Sequence, residues 1–135
     1  MTKNNILIVE DNPINLKLIK VTLIKRGYNV VAAEDAEKAL TLLKEFHPDL
    51  ILMDLQLPGM DGLQLTRILK KNPVTKDIII IALTAYAMKG DEEVALNSGC
   101  DGYISKPIDT QTLHLTIENL LNTHTTLIQN TRKDR

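Results

Sequence analysis

The chain has 135 residues, 44% of them hydrophobic and 24% charged, with a formal net charge of -1; this suits one domain and leaves little room for a second folded unit of ordinary size. Basic residues are interleaved with acidic ones, so the positive field that drives phosphate-backbone binding is missing and no nucleic-acid partner is expected. Cys100 is the only cysteine, which excludes an intramolecular disulfide, and the first apolar run is too short for a signal-peptide core or a membrane span, so a cytoplasmic protein with no membrane attachment is expected.

Ile6 to Val9 reads as the first strand, and its unbroken β-branched character suits a strand covered on both faces. Asn12 is a candidate N-cap with Pro13 at the first helical position, Leu16, Ile19, Leu23 and Ile24 recur at helical spacing, and Gly27 is a stop. Val30 to Ala33 gives the second strand, and Ala36, Ala39, Leu40 and Leu43 form a helical stripe behind the capping residue Asp35. Leu50 to Met53 is the third strand, followed by a shorter stripe of Leu65, Ile68 and Leu69. Ile78 to Leu83 is the fourth, and the helix after it, from Lys89 to Ser98, has mainly Val94, Ala95 and Leu96 to bury, so it should be the least firmly held. Tyr103 to Ser105 is the fifth strand, and Leu113, Ile117, Leu120 and Leu121 follow the capping residue Asp109.

From about Asn122 the composition turns to Thr, Asn and charge, so a folded domain over residues 1–121 and a flexible polar tail over 122–135 are expected, with Arg132, Lys133 and Arg135 solvated. Five alternations of strand and helix predict an α/β fold, a (βα)5 parallel sheet with right-handed crossovers.

In open α/β sheets, ligands bind beyond the carboxyl ends of the strands where the strand order reverses. The polar residues gather at those ends: Glu10 and Asp11 after the first strand, Asp54 after the third, Thr84 after the fourth and Lys106 after the fifth. Singly, Asp11 could be a helix-capping acid and Asp54 a solvated loop carboxylate. Together they repel by about 4 kcal/mol per pair at roughly 4 Å and an effective dielectric of about 20, so a cation must offset them. A hard divalent ion answers the charge count, and Mg²⁺ is typically held by one or two carboxylates, waters and a phosphate. A carboxylate facing both Mg²⁺ and the Lys106 ammonium can attack phosphorus to give an aspartyl phosphate, with Thr84 donating a hydroxyl to the phosphoryl oxygens.

Other chemistries fit poorly. No Gly-rich turn follows the first strand, as a nucleotide-binding loop requires. His47, His114 and His124 have no metal-ligand spacing with Cys100, and no serine or cysteine stands in a nucleophile motif. The histidines read as surface or helix residues, and Cys100 as a small packing residue.

Val9-Glu10-Asp11-Asn12, the Met53-Asp54-Leu55-Gln56-Leu57-Pro58-Gly59-Met60-Asp61-Gly62 segment, Leu83-Thr84-Ala85 and Ser105-Lys106-Pro107 together resemble response-regulator receivers, over about Asn5 to Leu121. The runs from Ala85 to Glu93 and from Gly102 to Ile108 are most similar to DivK-type single-domain regulators. The resemblance implies a doubly wound, CheY-like sheet of order 2-1-3-4-5, the flavodoxin-like arrangement. It implies Asp54 as the phosphoacceptor, Asp11 and Asp54 as direct Mg²⁺ ligands, Glu10 as a ligand through water and Gln56 through its backbone carbonyl. Thr84 and Lys106 match the switch hydroxyl and the phosphate-binding lysine, Ala85 would add its backbone N–H, and Tyr103 matches the aromatic that changes rotamer on activation. A cis peptide at Lys106-Pro107 is implied as well.

Such a protein is not a conventional enzyme: it promotes its own phosphorylation from the phosphohistidine of a histidine kinase or phosphotransfer protein, and its own dephosphorylation. The output partner would dock on the face of the fourth helix, fifth strand and fifth helix of a monomer or weak dimer. The rival readings are a phosphorylation-independent module on the same fold, against which the intact Glu10, Asp11, Asp54, Thr84 and Lys106 argue, and a receiver cut from a hybrid histidine kinase. A haloacid-dehalogenase-type hydrolase is disfavoured because Asp54 is followed by Leu55 and Gln56 rather than by a second aspartate to act as general acid.

Overall fold

A computed structural model of the chain describes residues 4–85 and 91–133. Among these, strands and helices alternate as β1 (Asn5–Val9), α1 (Pro13–Lys25), β2 (Asn29–Ala33), α2 (Ala36–Leu42), β3 (Leu50–Asp54), α3 (Gly62–Lys71), β4 (Ile79–Thr84), α4 (Asp91–Asn97), β5 (Gly102–Ser105) and α5 (Thr110–Lys133). The strands pair in parallel in the order β2-β1-β3-β4-β5. Each strand expected from the sequence is present to within about a residue at either end, the usual uncertainty of an element boundary.

Successive strand residues point to opposite faces, and both faces are covered. Leu7, Val9, Ile51, Met53, Ile80 and Ala82 pack with Ala36 and Ala39 of α2, Leu65 and Leu69 of α3 and Ala95 of α4. Ile6, Ile8, Leu50, Leu52, Ile79, Ile81 and Leu83 pack with Ile19 and Leu23 of α1 and Leu113, Ile117 and Leu121 of α5. The sheet is therefore doubly wound, with two helices on one face and three on the other. This explains the continuous apolar runs, since a strand buried on both sides has no solvent face to mark with polar residues.

The helix starts follow the expected chemistry. Asn12 accepts from the Ile14 and Asn15 amides, Asp35 from that of Lys38, and Asp109 from that of Gln111. Asp61 and Gln64 form a reciprocal capping box at the head of α3, satisfying two of the amides that a helix start leaves unpaired. Gly27 lies at φ 90°, just past α1, where a residue without Cβ is favoured.

Three expectations are corrected. Ile24 of α1 and Ile68 of α3 are 55% and 43% exposed, so each lies at the outer margin of its stripe. Among the described side chains of α4 only Ala95 is buried, whereas Val94 and Leu96 are 46% and 45% exposed, a thinner apolar stripe than the sequence suggested. The expected start of that helix at Lys89 falls outside the described residues. Finally, Leu121 is the last buried position described on α5 but not its end, because the backbone stays helical to Lys133. Residues 122–133 contain no proline or glycine, and extending an existing helix is far easier than starting one.

Candidate functional site

Strand order reverses between β1 and β3, whose neighbours at the carboxyl edge are β2 and β4, and the polar residues converge on this crevice. Glu10 follows β1 directly and is held by its amide, which donates to the Ala33 carbonyl at the end of β2. Asp54 is the last residue of β3; the next amide, of Leu55, still donates to Leu83 of β4, so the ladder fixes the strand up to the point where the carboxylate projects. Glu10 is wholly buried and Asp54 is 1% exposed, while Asp11 faces solvent. Oxygen atoms from these three carboxylates lie within 4.8 Å of one another.

Lys106 closes the site from β5. Its amide donates to the Thr84 carbonyl, and its ammonium reaches Glu10 Oε1 at 3.0 Å and Asp54 Oδ2 at 3.3 Å. The other Asp54 oxygen, Oδ1, accepts from the Gln56 amide at 3.0 Å, and Glu10 Oε2 accepts from the Asn12 amide at 3.2 Å. Thr84 is buried at the end of β4, and Ala85 after it is exposed. Tyr103, opposite Ala82 across the β4–β5 ladder, is half-buried against the α2–α4 side of the core. The Lys106-Pro107 peptide is cis, as the sequence led us to expect.

The charges do not balance. Burial pushes the Glu10 carboxyl up to about 7, and the adjacent Asp54 carboxylate adds to that push against the pull of Lys106 and the Asn12 amide. For Asp54, burial alone would raise the carboxyl, but the Glu10 carboxyl, the Gln56 amide and Lys106 outweigh it and hold it below its ordinary value. Burial works against the Lys106 charge too, yet the two carboxylates hold its pKa above the ordinary lysine value. Of the pair, Glu10 is therefore the carboxyl that holds a proton more readily and Asp54 the one favoured in its ionised form, as a nucleophile must be.

Glu10 Oε1 supplies the test of a metal. It is buried without a well-aligned hydrogen bond, with the Lys106 ammonium 3.0 Å away as an ion-pair partner. A buried, under-satisfied carboxylate oxygen beside two further carboxylates, one of them open to solvent, fits a hard divalent cation entering from the Asp11 side.

The geometry thus brings Glu10, Asp11, Asp54 and Lys106 together, places Thr84 and Ala85 on the adjoining strand end and sets Tyr103 one element away. Sequence reasoning did not foresee the direct Glu10–Lys106 pair or the amide-to-carboxylate bonds from Asn12 and Gln56. It named Gly62 only as the last residue of the Met53–Gly62 segment that carries the resemblance. A Cβ there would collide with the carbonyl oxygen of Asp54 and approach Leu55 Cα. The available signal was a glycine just inside a capped helix, where a better helix former is otherwise favoured.

Residues 6–118 match the response regulator receiver domain family, and the chain belongs to that family. It is 46% identical over 121 residues to the polar-differentiation response regulator DivK of Brucella abortus, covering 90% of this chain and 98% of that protein. Among solved structures, a putative response regulator from Chloroflexus aurantiacus superposes with TM-score 0.86 at 30% identity, covering 90% of this chain and 99% of that one. The receiver domain of a Pseudomonas aeruginosa sensor histidine kinase, solved with a magnesium ion coordinated in its active-site cleft, gives 0.82 at 35% identity, with coverage of 90% and 99%. The chain is accordingly a DivK-like receiver of two-component signalling, a family whose partners are histidine kinases or phosphotransfer proteins. Among the described residues no helix is long and apolar enough to cross a membrane.

Proposed function

We propose that Asp54 is the phosphoacceptor of this receiver, taking a phosphoryl group from a phosphohistidine with Mg²⁺ bound by Glu10, Asp11, Asp54 and the Gln56 carbonyl. The observation that carries this reading is the Asp54 carboxylate, buried but held on one side by the Gln56 amide and on the other by Lys106. An Asp54 oxygen attacks phosphorus, the P–N bond to the imidazole breaks, and the imidazole departs with the bonding pair. When bound, Mg²⁺ neutralises charge on the transferring phosphoryl oxygens. Lys106 holds a second oxygen by charge, and the Thr84 hydroxyl and Ala85 amide donate to the rest. The donor approaches across the rim of Asp11, Asn12 and the first turn of α1, where Ile14 is 77% exposed. Reversal by water returns the domain to rest, so the chain catalyses only its own modification, in the cytoplasm where such donors reside.

Output runs through the surface. The phosphoryl group adds about -1.5 to -2 charge and draws the Thr84 hydroxyl inward; Tyr103 turns into the vacated space and remodels the face of α4, β5 and α5, where the downstream protein docks on a monomer or weak dimer. The outward turn of Val94 and Leu96 on α4, with Ala95 buried between them, suits a bistable element. Phosphoramidate, a small donor with the same P–N bond, tests the acceptor: with Mg²⁺ the intact mass should rise by one phosphoryl group. Equal labelling in Asp54→Asn would refute the assignment.

A further inference from the structure

One stripe of α3 runs from the phosphoacceptor to the far side of the domain. Gly62, Thr66 and Lys70 stand at successive fourth positions, on one face of the helix, spanning about 12 Å at 1.5 Å per residue. At the head, Gly62 lies so close under Asp54 that no side chain fits between it and the Asp54 carbonyl. In the middle, the buried Thr66 hydroxyl donates to the Gly62 carbonyl at 2.8 Å and accepts from the Cys100 thiol at 3.8 Å.

At the foot, the Lys70 ammonium donates to the Ile78 carbonyl at 2.8 Å, to Asp101 Oδ2 at 2.9 Å and to the Lys76 carbonyl at 3.3 Å. The same Asp101 oxygen accepts from the Ile80 amide at 2.9 Å. Gly99, at φ 110°, rests on the Lys70 stem closely enough that a Cβ would strike its Cγ. Every residue between the end of α4 and the start of β5 except Ser98 is thus tied to this stripe.

We propose that the Gly62–Thr66–Lys70 stripe is a brace that opposes activation: it holds the foot of α4 and the start of β5 in their resting position, and so sets how readily Asp54 takes up a phosphoryl group. The inference rests on Asp54 being the phosphoacceptor. With no slack at either end, a shift of the Asp54 backbone on phosphoryl binding must move α3 against the Lys70–Asp101 tie or break that tie. Because a site that biases a remote element is biased by it in return, loosening the foot must change affinity at Asp54. The tie favours the resting arrangement, so its loss tightens binding.

Beryllofluoride, a phosphoryl mimic, provides the test with the full chain and Mg²⁺. In the wild type, its binding should shift the amide resonances of Cys100, Asp101 and Gly102. Lys70→Met keeps the stem under Gly99 and removes the charge; Asp101→Asn keeps an acceptor for the Ile80 amide. Either variant, shown to be folded by its amide spectrum, should bind beryllofluoride tighter by about fivefold or more, the lower end of ordinary coupling. Unchanged or weaker affinity in the variants, or unmoved wild-type resonances from Cys100 to Gly102 while Asp54 is occupied, overturns the brace and leaves the phosphoacceptor assignment standing. No Mg²⁺-dependent beryllofluoride binding in the wild type would defeat both.

Discussion

Two partly buried lysine–carboxylate clusters among the described residues use the same groups to opposite ends. At the foot of α3, Lys70 meets one carboxylate, Asp101, and two backbone carbonyls, and the carboxylate meets a backbone amide in turn. Charge and hydrogen bonds are matched, and the cluster joins three elements. At the carboxyl edge, Lys106 faces two buried carboxylates with a third alongside, one oxygen lacks a well-aligned donor, and burial pushes the Glu10 carboxyl up to about 7. A matched cluster holds structure together; an unmatched one favours the ionised form of Asp54 and offers carboxylate oxygens to a cation. The difference lies in stoichiometry rather than in residue type.

Substitutions can break that contrast. Lys106→Met should slow phosphoryl uptake from a small donor by about 100-fold, the usual loss when one preorganised charge is removed from a developing anion; phosphoramidate kinetics at saturating Mg²⁺ would show it. The same carboxylate-to-amide change should then have opposite signs at the two clusters. Glu10→Gln removes the most strained charge, so in chelator at pH 7.5 the variant should be more stable than wild type by about 2 kcal/mol in urea unfolding, while its Mg²⁺ affinity falls. Asp101→Asn should lose about 1 kcal/mol in the same assay, because Lys70 keeps its carbonyl partners and Asp101 is partly exposed. A stabilised Asp101→Asn or a destabilised Glu10→Gln would erase the distinction.

Most of the active edge was legible because each of its residues terminates an apolar run: Glu10 after Val9, Asp54 after Met53, Thr84 within β4, Lys106 after Ser105. A parallel sheet delivers all strand ends to one edge, so linear position translates directly into proximity. The foot of α3 was not legible. Lys70 sits beside Lys71 on a helix that also shows Arg67, the look of a solvated face, and Asp101 lies 31 residues away in a turn; nothing local marks the pair. The outward turn of Val94 and Leu96 was equally hidden, since a seven-residue helix is too short for its stripe to define a face. The run of α5 beyond Leu121 was missed for a related reason: polar composition signals the loss of a buried face, not the end of hydrogen bonding along the backbone.

The dependence of stability on pH and Mg²⁺ tests the charge imbalance most directly. Glu10 keeps its proton in the folded chain up to about pH 7 but loses it near its ordinary value of 4.5 when unfolded. Its contribution is therefore fully present below that lower value and is lost as pH rises to about 7; Asp54, whose pKa is lowered from 3.8, loses its contribution only at more acid pH. Measured in chelator as the difference between wild type and Glu10→Gln, which cancels the histidines, unfolding free energy should fall by about 2 kcal/mol between pH 4.5 and 7.5. Millimolar Mg²⁺ should reverse that fall, because the ion binds the site better as Glu10 gives up its proton. A difference that is flat across this range in chelator, or a fall that Mg²⁺ leaves unchanged, would contradict the account.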